Sequence, residues 1–332
     1  MRGGAVLRGC LVVAALALAV PGWAQTVVKI AFIPSESQAP LFLAEERGFY
    51  REQGIKPEFV RLPSGAAILA QVATGQVHAG GGALGAAAYN ALHGKQPVAF
   101  VAPMHMAYNE DYFVVRKADH DQGRIKQVRD LKGQPCAVNA RGVATEWILD
   151  DMLRKGGMTI DDIDLKVLPF PDMVVALETG AIRCGIVSEP FASLAEAKGV
   201  GLRPFPAPRG QRPVPITMLM WNTDWARGNP KLAQDFMVAF LKAMRVLSDQ
   251  AVWQDPEIQR VVQKYTRVTP DVLKRSRPPH FDPNLEVDVK VLEGQQEFNL
   301  KRGYLKYSQL LPVNQLLDRT YAEAAVKRLG RR

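Results

Sequence analysis

Cysteine is scarce in this chain, with three among 332 residues, and Cys10 lies beside the first apolar run. A thiolate zinc site needs more ligands close together, and the histidines at 78, 93, 105, 120 and 280 show no ligand spacing. No metal and no cofactor are therefore expected. Long apolar runs are also missing. The run Leu11 to Val20 has half the roughly 20 residues that a membrane-crossing helix requires. Charged side chains are absent from Leu62 to Gly94, but Gln71, Thr74, Gln76, His78 and several glycines make that stretch a buried α/β segment instead of a span. One further absence matters. "GGGALG", residues 80 to 85, fits the G-x-G-x-x-G pattern of dinucleotide loops, yet about 20 residues on stand Ala102, Pro103 and Met104 where a carboxylate for the ribose is needed.

What is present begins with Arg2 and Arg8, the short apolar run, Pro21 and the small residues Gly22 and Ala24, the order of a secretory leader cut after Ala24. Export to the periplasm is the expected fate, which weighs further against a cytoplasmic dinucleotide. Loss of Arg2 and Arg8 leaves a net charge of +7 over the remaining 308 residues. That excess is too mild and too evenly spread for nucleic acid. A small-molecule partner and a monomer are expected instead.

The chain contains one unit written twice. Residues from Lys29 to Gly82 read strand, helix, strand, helix, strand, and so do residues from Gln134 to Pro190. Aligning Ala31-Phe32 with Ala137-Val138 sets Pro63 against Pro169 and brings Thr74-Gly75 within one residue of Thr179-Gly180. The units end "TGQVHAG" and "TGAIRCG". The fold class is α/β: two doubly wound βαβαβ lobes with parallel sheets and a ligand cleft beyond the strand ends. Residues 25–110 and 216–332 are assigned to the first lobe and 111–215 to the second. The proline-rich "PFPAPRGQRPVP" leads out of the second lobe, and "ITMLMWN" reads as a strand returning to the first. Asn229-Pro230, Asp255-Pro256 and Thr269-Pro270 each place a side-chain acceptor before a first-turn proline. Leu232, Phe236, Phe240, Ala243 and Leu247 form one apolar stripe for the core.

"APLFLAEERGFYREQGI", "LAQVATGQV", "LKGQPCAVNARGVATEWILDDMLRKGGM" and "FPDMVVALETGAI" followed by "SEPFA" resemble the periplasmic solute-binding proteins of sulfonate, taurine and nitrate ABC importers, a group that includes pyrimidine-precursor binders. The resemblance implies two lobes joined by two crossing strands, closing on a small solute and presenting it to an ABC permease. It also departs from the family. His78 and Arg183 stand where an acidic residue is usual, and Ser188 where an aromatic is often found.

Candidate contacts are the polar residues and glycines at the strand ends. In the first lobe Ser35, Glu36, Ser37 and Gln38 precede Pro40, so a helix starts at the cleft with free N–H groups for an anion, unless Ser37 or Gln38 merely caps it. Asn139, Arg141, Gly142 and Thr145 hold the equivalent place in the second lobe, Arg141 offering a planar grip on an acidic group. Ser64 and Gly65, Gly82 and Ala83, Asp172, and Ser188 and Glu189 follow the other strands. The glycine run serves either close ligand approach or close packing. His105 and Tyr108, with Met104, lie at the first crossing. Glu36, Asp172 and Glu189 together with Arg141 fit a zwitterion or a neutral heterocycle as well as an anion. Cys136 and Cys184 open strands that are neighbours in a 2-1-3 sheet, either bridged or as free buried thiols. Three functions fit: solute capture for import, ligand sensing at a membrane receptor, and an enzyme of pyrimidine synthesis. The last is weakened because the cysteine-rich iron motif of those enzymes is missing.

Overall fold

The computed structural model describes residues 25–108, 111–205 and 213–332. The expected secretory leader, the expected junction at Glu110 and most of the proline-rich connector lie outside the described residues. The chain forms two five-stranded sheets. The first contains β1 (Thr26–Phe32), β2 (Ile55–Arg61), β3 (Ala79–Gly82), β4 (Val98–Ala107) and β10 (Val214–Asn222), in the order β2-β1-β3-β10-β4. The second contains β5 (Phe113–Arg116), β6 (Pro135–Val138), β7 (Asp164–Val167), β8 (Cys184–Ile186) and β9 (Gly201–Leu202), in the order β7-β6-β8-β5-β9.

The repeat is visible in the pairing. β1 is parallel to β2 and β3, and β6 is parallel to β7 and β8. The expected all-parallel sheets are nonetheless mixed. β10 and β5 run antiparallel to the third strand of each unit, because both come from the chain segments that cross between sheets and lie outside the repeated βαβαβ pattern. Each crossing therefore ends as a strand locked into the sheet it enters.

The helix Pro230–Leu247 buries Phe236, Phe240, Ala243 and Leu247 completely, with Leu232 partly buried beside them. It packs on the helices Ala39–Glu46 and Thr320–Leu329. Helices begin at Pro230, Pro256 and Pro270 as expected, but only Asp255 supplies a side-chain cap, its carboxylate accepting the Glu257 N–H at 2.8 Å. The Asn229 amide instead donates back to the Trp225 carbonyl. Among the described residues no helix is long and apolar enough to cross a membrane.

Cys136 and Cys184 are directly paired positions of β6 and β8 and form a disulfide. The bridge closes a loop with a sequence separation of 48 residues. Replacing both cysteines with alanine is expected to cost about 2–4 kcal/mol by releasing that loop in the unfolded chain, measured as a lower urea midpoint under non-reducing conditions.

Candidate functional site

The carboxyl ends of the two sheets face each other, and the cavity between them is lined from both. β1 leads into Ile33, Ser35 and Ser37, and the start of helix Gly65–Ala73 supplies Gly65. Ala83 follows β3, while β4 and β10 supply His105, Ile216 and Thr217. From the second sheet come Tyr112, Asn139, Val143, Ala144, Thr145, Ile148, Phe170 and Ser188. About 40 Å³ of the cavity admits the centre of a water-sized molecule.

The lobes are in contact across this cavity. Ser35 Oγ lies 2.8 Å from Ser188 Oγ, and the Glu36 N–H donates to the Glu189 carbonyl at 3.1 Å. On the other side the Ala86 N–H donates to the Gly142 carbonyl at 2.5 Å. Tyr304 donates to the Glu146 carboxylate at 2.8 Å. The arrangement is a closed one.

The two helix starts that face the cavity differ. In the first lobe Ser35 caps the turn and accepts the Ser37 N–H at 3.2 Å, Gln38 N–H donates to the Ser35 carbonyl, and Glu36 N–H is spent on Glu189. The expected anion cradle is thus consumed by capping and lobe contact. In the second lobe the helix Ala144–Arg154 starts after Val143 without a side-chain cap. Ala144 and Thr145, whose N–H groups have no acceptor within the helix, line the cavity. Beside them Thr145 Oγ1 donates to Asn139 Oδ1 at 2.7 Å.

Among the described residues no ionised side chain lines the cavity. His105 is 2 % exposed, and burial, reinforced by His280, pushes its pKa down to about 3, so it is neutral at any physiological pH. The Tyr112 hydroxyl stands 2.6 Å from His105 Nε2, and burial holds that phenol well above its ordinary range, so it too stays neutral. The polar lining is made of hydroxyls, one amide and a neutral imidazole. The rest is apolar: Ile33, Ile148, Phe170 and Ile216.

Of the residues singled out in the sequence, Ser35, Ser37, Gly65, Ala83, His105, Asn139, Thr145 and Ser188 meet at this cavity. The charged candidates do not. Arg141 is exposed, with its guanidinium 3.4 Å from the Leu165 carbonyl. Asp172 is exposed too, because two residues along a helix is about 200° from Phe170, the side chain that does face inward. Glu189 accepts from Arg203 at 2.5 Å and from Ser193, and so is spent within the second lobe and its neighbours. Glu36 and Gln38 are buried behind the wall, Ser64 caps its own helix, and Tyr108 stands against His280. Gly142 holds the lobe contact. Its φ of +68° is one that glycine adopts without strain. Met104 is packed under Gly81.

The glycine run is a packing device. A Cβ on Gly81 would lie 2.3 Å from Gln38 Oε1, and one on Gly82 would lie 2.6 Å from Met220 Cε. Both residues belong to β3, which sits between β1 and β10. His78, where an acidic residue was expected by resemblance, accepts the Lys29 N–H at 3.0 Å and stacks on Trp225. Arg183 pairs with Asp119 at 3.3 Å. Both departures are structural contacts away from the cavity.

The sequence profile of the NMT1-like family matches residues 23–259. The chain belongs to that family. Among related sequences it is 25 % identical over 309 residues to the putative binding protein YtlA of Bacillus subtilis, covering 90 % of this chain and 89 % of that one. It is 24 % identical over 287 residues to the nitrate import ATP-binding protein NrtC of Synechocystis sp., covering 82 % of this chain. The match takes in 43 % of NrtC, so the chain spans less than half of that relative. Among solved structures the fold is similar to that of the alkanesulfonate-binding protein SsuA from Xanthomonas axonopodis pv. citri bound to MOPS, with a TM-score of 0.70 at 17 % identity, covering 90 % of this chain and all of the other. Two five-stranded α/β sheets with a cavity between them are the architecture of this NMT1-like chain.

Proposed function

We propose that this NMT1-like chain is the periplasmic solute-binding component of an ABC importer, acting as a monomer that captures a small molecule by lobe closure and hands it to the permease. Residues 25–110 and 216–332 move as one lobe against residues 111–215. The protein works by binding, not by turnover. Its relatives in nitrate import and its likeness to a sulfonate-binding protein support the transport role.

The cavity lining supports a narrower ligand class. Enclosing a fully charged group without a counter-charge is costly, whereas hydrogen bonds to hydroxyls and an amide compensate a neutral polar group. The absence of any ionised side chain among the described lining residues carries this reading. The solute is a small neutral molecule of the heterocycle type, its ring against Ile33, Ile148 and Phe170 and its polar edge toward Asn139, Thr145 and the open amides of helix Ala144–Arg154.

A thermal-shift panel of neutral pyrimidines and aromatic amides against sulfonates, taurine and nitrate tests it. A neutral heterocycle at a hundred times its Kd is expected to raise Tm by about 5 °C, since it adds about 2.7 kcal/mol to the folded form. Stabilisation by sulfonates or nitrate alone would contradict the ligand class, and turnover of any compound would contradict the binding role. Thr145→Val, which removes a donor to Asn139, is expected to weaken the best compound about tenfold, as read by calorimetry.

A further inference from the structure

Glu36 is a carboxyl group that solute capture leaves unused. It lies in the turn between β1 and helix Ala39–Glu46, is 1 % exposed, and neither Oε1 nor Oε2 has a hydrogen-bond partner. It borders a second, smaller hollow behind the main cavity, reached past Ser37, His105, Tyr112 and Ser188, which line both. Only about 10 Å³ of that hollow admits the centre of a water-sized molecule, so at most one water fits beside the carboxyl and a larger ligand group does not.

The groups facing Glu36 do not supply a counter-charge. Arg203, from the second lobe, is committed to Glu189 at 2.5 Å and to Glu196. Arg277, from the segment after helix Pro270–Leu273, pairs with Asp111 at 2.5 Å. His105 on β4 is neutral, Tyr112 is held protonated, and Ser276 donates to the Leu273 carbonyl. Two guanidinium groups thus already serve Glu189, Glu196 and Asp111, and an ionised Glu36 would add a further buried negative charge. Burial first, and the Glu189 carboxylate second, hold the Glu36 carboxyl well above its ordinary range, with Ser276 and Arg203 offsetting only part.

Glu36 is also placed at the moving joint. Its own N–H bonds to the Glu189 carbonyl of the opposite lobe, and its neighbour Ser35 contacts Ser188. We infer that the closed form contains a proton-binding site at Glu36, so that closing the lobes takes up one proton and opening them, which breaks these contacts and admits water, releases it. This rests on the lobe closure of the proposed function. In the open form the carboxyl returns toward the ordinary carboxylate range. Since the closed form has the raised pKa, closure is fully favoured below the open-form value. It weakens as pH rises from there to the closed-form value, about tenfold per pH unit for one proton. The protein therefore holds its solute more tightly at lower pH.

Hydrogen exchange on residues 25–332 saturated with the panel compound that stabilises them most, between pH 5 and 8.5 and corrected for intrinsic rates, tests this. The amides of Glu36 and Ala86 bond across the lobes and report opening, while His78 N–H, bonded to Lys29 within the first sheet, is the internal reference. In the wild type, protection of the two reporters is expected to fall about tenfold per pH unit over part of this range. In Glu36→Gln, which is isosteric and cannot ionise, their protection is expected to stay constant and to exceed wild type at pH 8. Strong but pH-independent protection in the wild type would overturn the proton site and leave lobe closure standing. A slope that persists in Glu36→Gln would also overturn it, assigning the proton elsewhere. Reporters unprotected in both chains, with His78 protected, would overturn closure itself and this inference with it.

Discussion

Gly85→Val is expected to abolish solute capture while leaving both lobes folded. Gly85 has φ −158°, extended backbone that any residue adopts, so the substitution carries no conformational penalty. What it lacks is space. A Cβ there would lie 2.2 Å from the Gly142 carbonyl oxygen and 2.9 Å from Val143 Cα, both main-chain atoms of the opposite lobe that cannot swing aside as a side chain can. The lobes must stay apart, which breaks the bond from Ala86 N–H to Gly142 and withdraws Val143, Ala144 and Thr145 from the cavity wall. Affinity for the best compound of the panel is expected to fall at least about a hundredfold, equivalent to about 2.7 kcal/mol. The far-ultraviolet circular dichroism should match the wild type, because the backbone at Gly85 is one that any residue adopts. A variant that binds normally would show that Gly85 and Gly142 do not meet when the solute is held.

The second large effect is on stability. Arg203 has a side chain 1 % exposed and bonds to Glu189, Glu196, Ser193 Oγ at 3.1 Å and the Asp111 carbonyl at 3.1 Å. It is the ionic centre of the second lobe where the chain leaves it. The two carboxylates hold its guanidinium charged against the opposing effect of burial. Arg203→Ala leaves Glu189 buried with Ser193 and the Arg277 N–H as partners and no cation. Stranding a buried charge in this way costs about 3–5 kcal/mol, so Tm is expected to fall by on the order of 10 °C in calorimetry. Adding Glu189→Gln to Arg203→Ala should recover part of the loss, because no stranded charge remains. A near wild-type Tm for the single variant would contradict this reading.

The parts of the fold that were legible in the sequence are those set by local chemistry. The duplicated unit shows because each copy ends its second helix at a Thr-Gly pair, and Gly75 and Gly180 do take positive φ, +72° and +79°, which glycine adopts at little cost. The repeat places Cys136 and Cys184 on strands that a 2-1-3 order makes neighbours, as they are, but the sequence leaves open whether they bridge. The cavity was only half legible. Hydroxyls and small residues at strand ends, such as Ser35, Asn139, Thr145 and Ser188, mark it correctly because they follow the strand tips directly. Charged candidates lie off the cavity, since Arg141 and Asp172 are drawn to solvent and Glu189 to Arg203, and no local pattern states the direction of a side chain near a helix start. The apolar walls were hidden for the opposite reason. Ile33, Ile148, Phe170 and Ile216 look like core in sequence, and only the gap between the two sheets makes them a binding surface. Thr217 belongs to the returning strand, whose place between β3 and β4 is set by long-range pairing.

Small-angle scattering of residues 25–332, before and after adding the panel compound that stabilises them most, tests lobe capture most directly. The account predicts a smaller radius of gyration on addition in the wild type and no change in Gly85→Val. An unchanged radius in the wild type at saturating compound would contradict it.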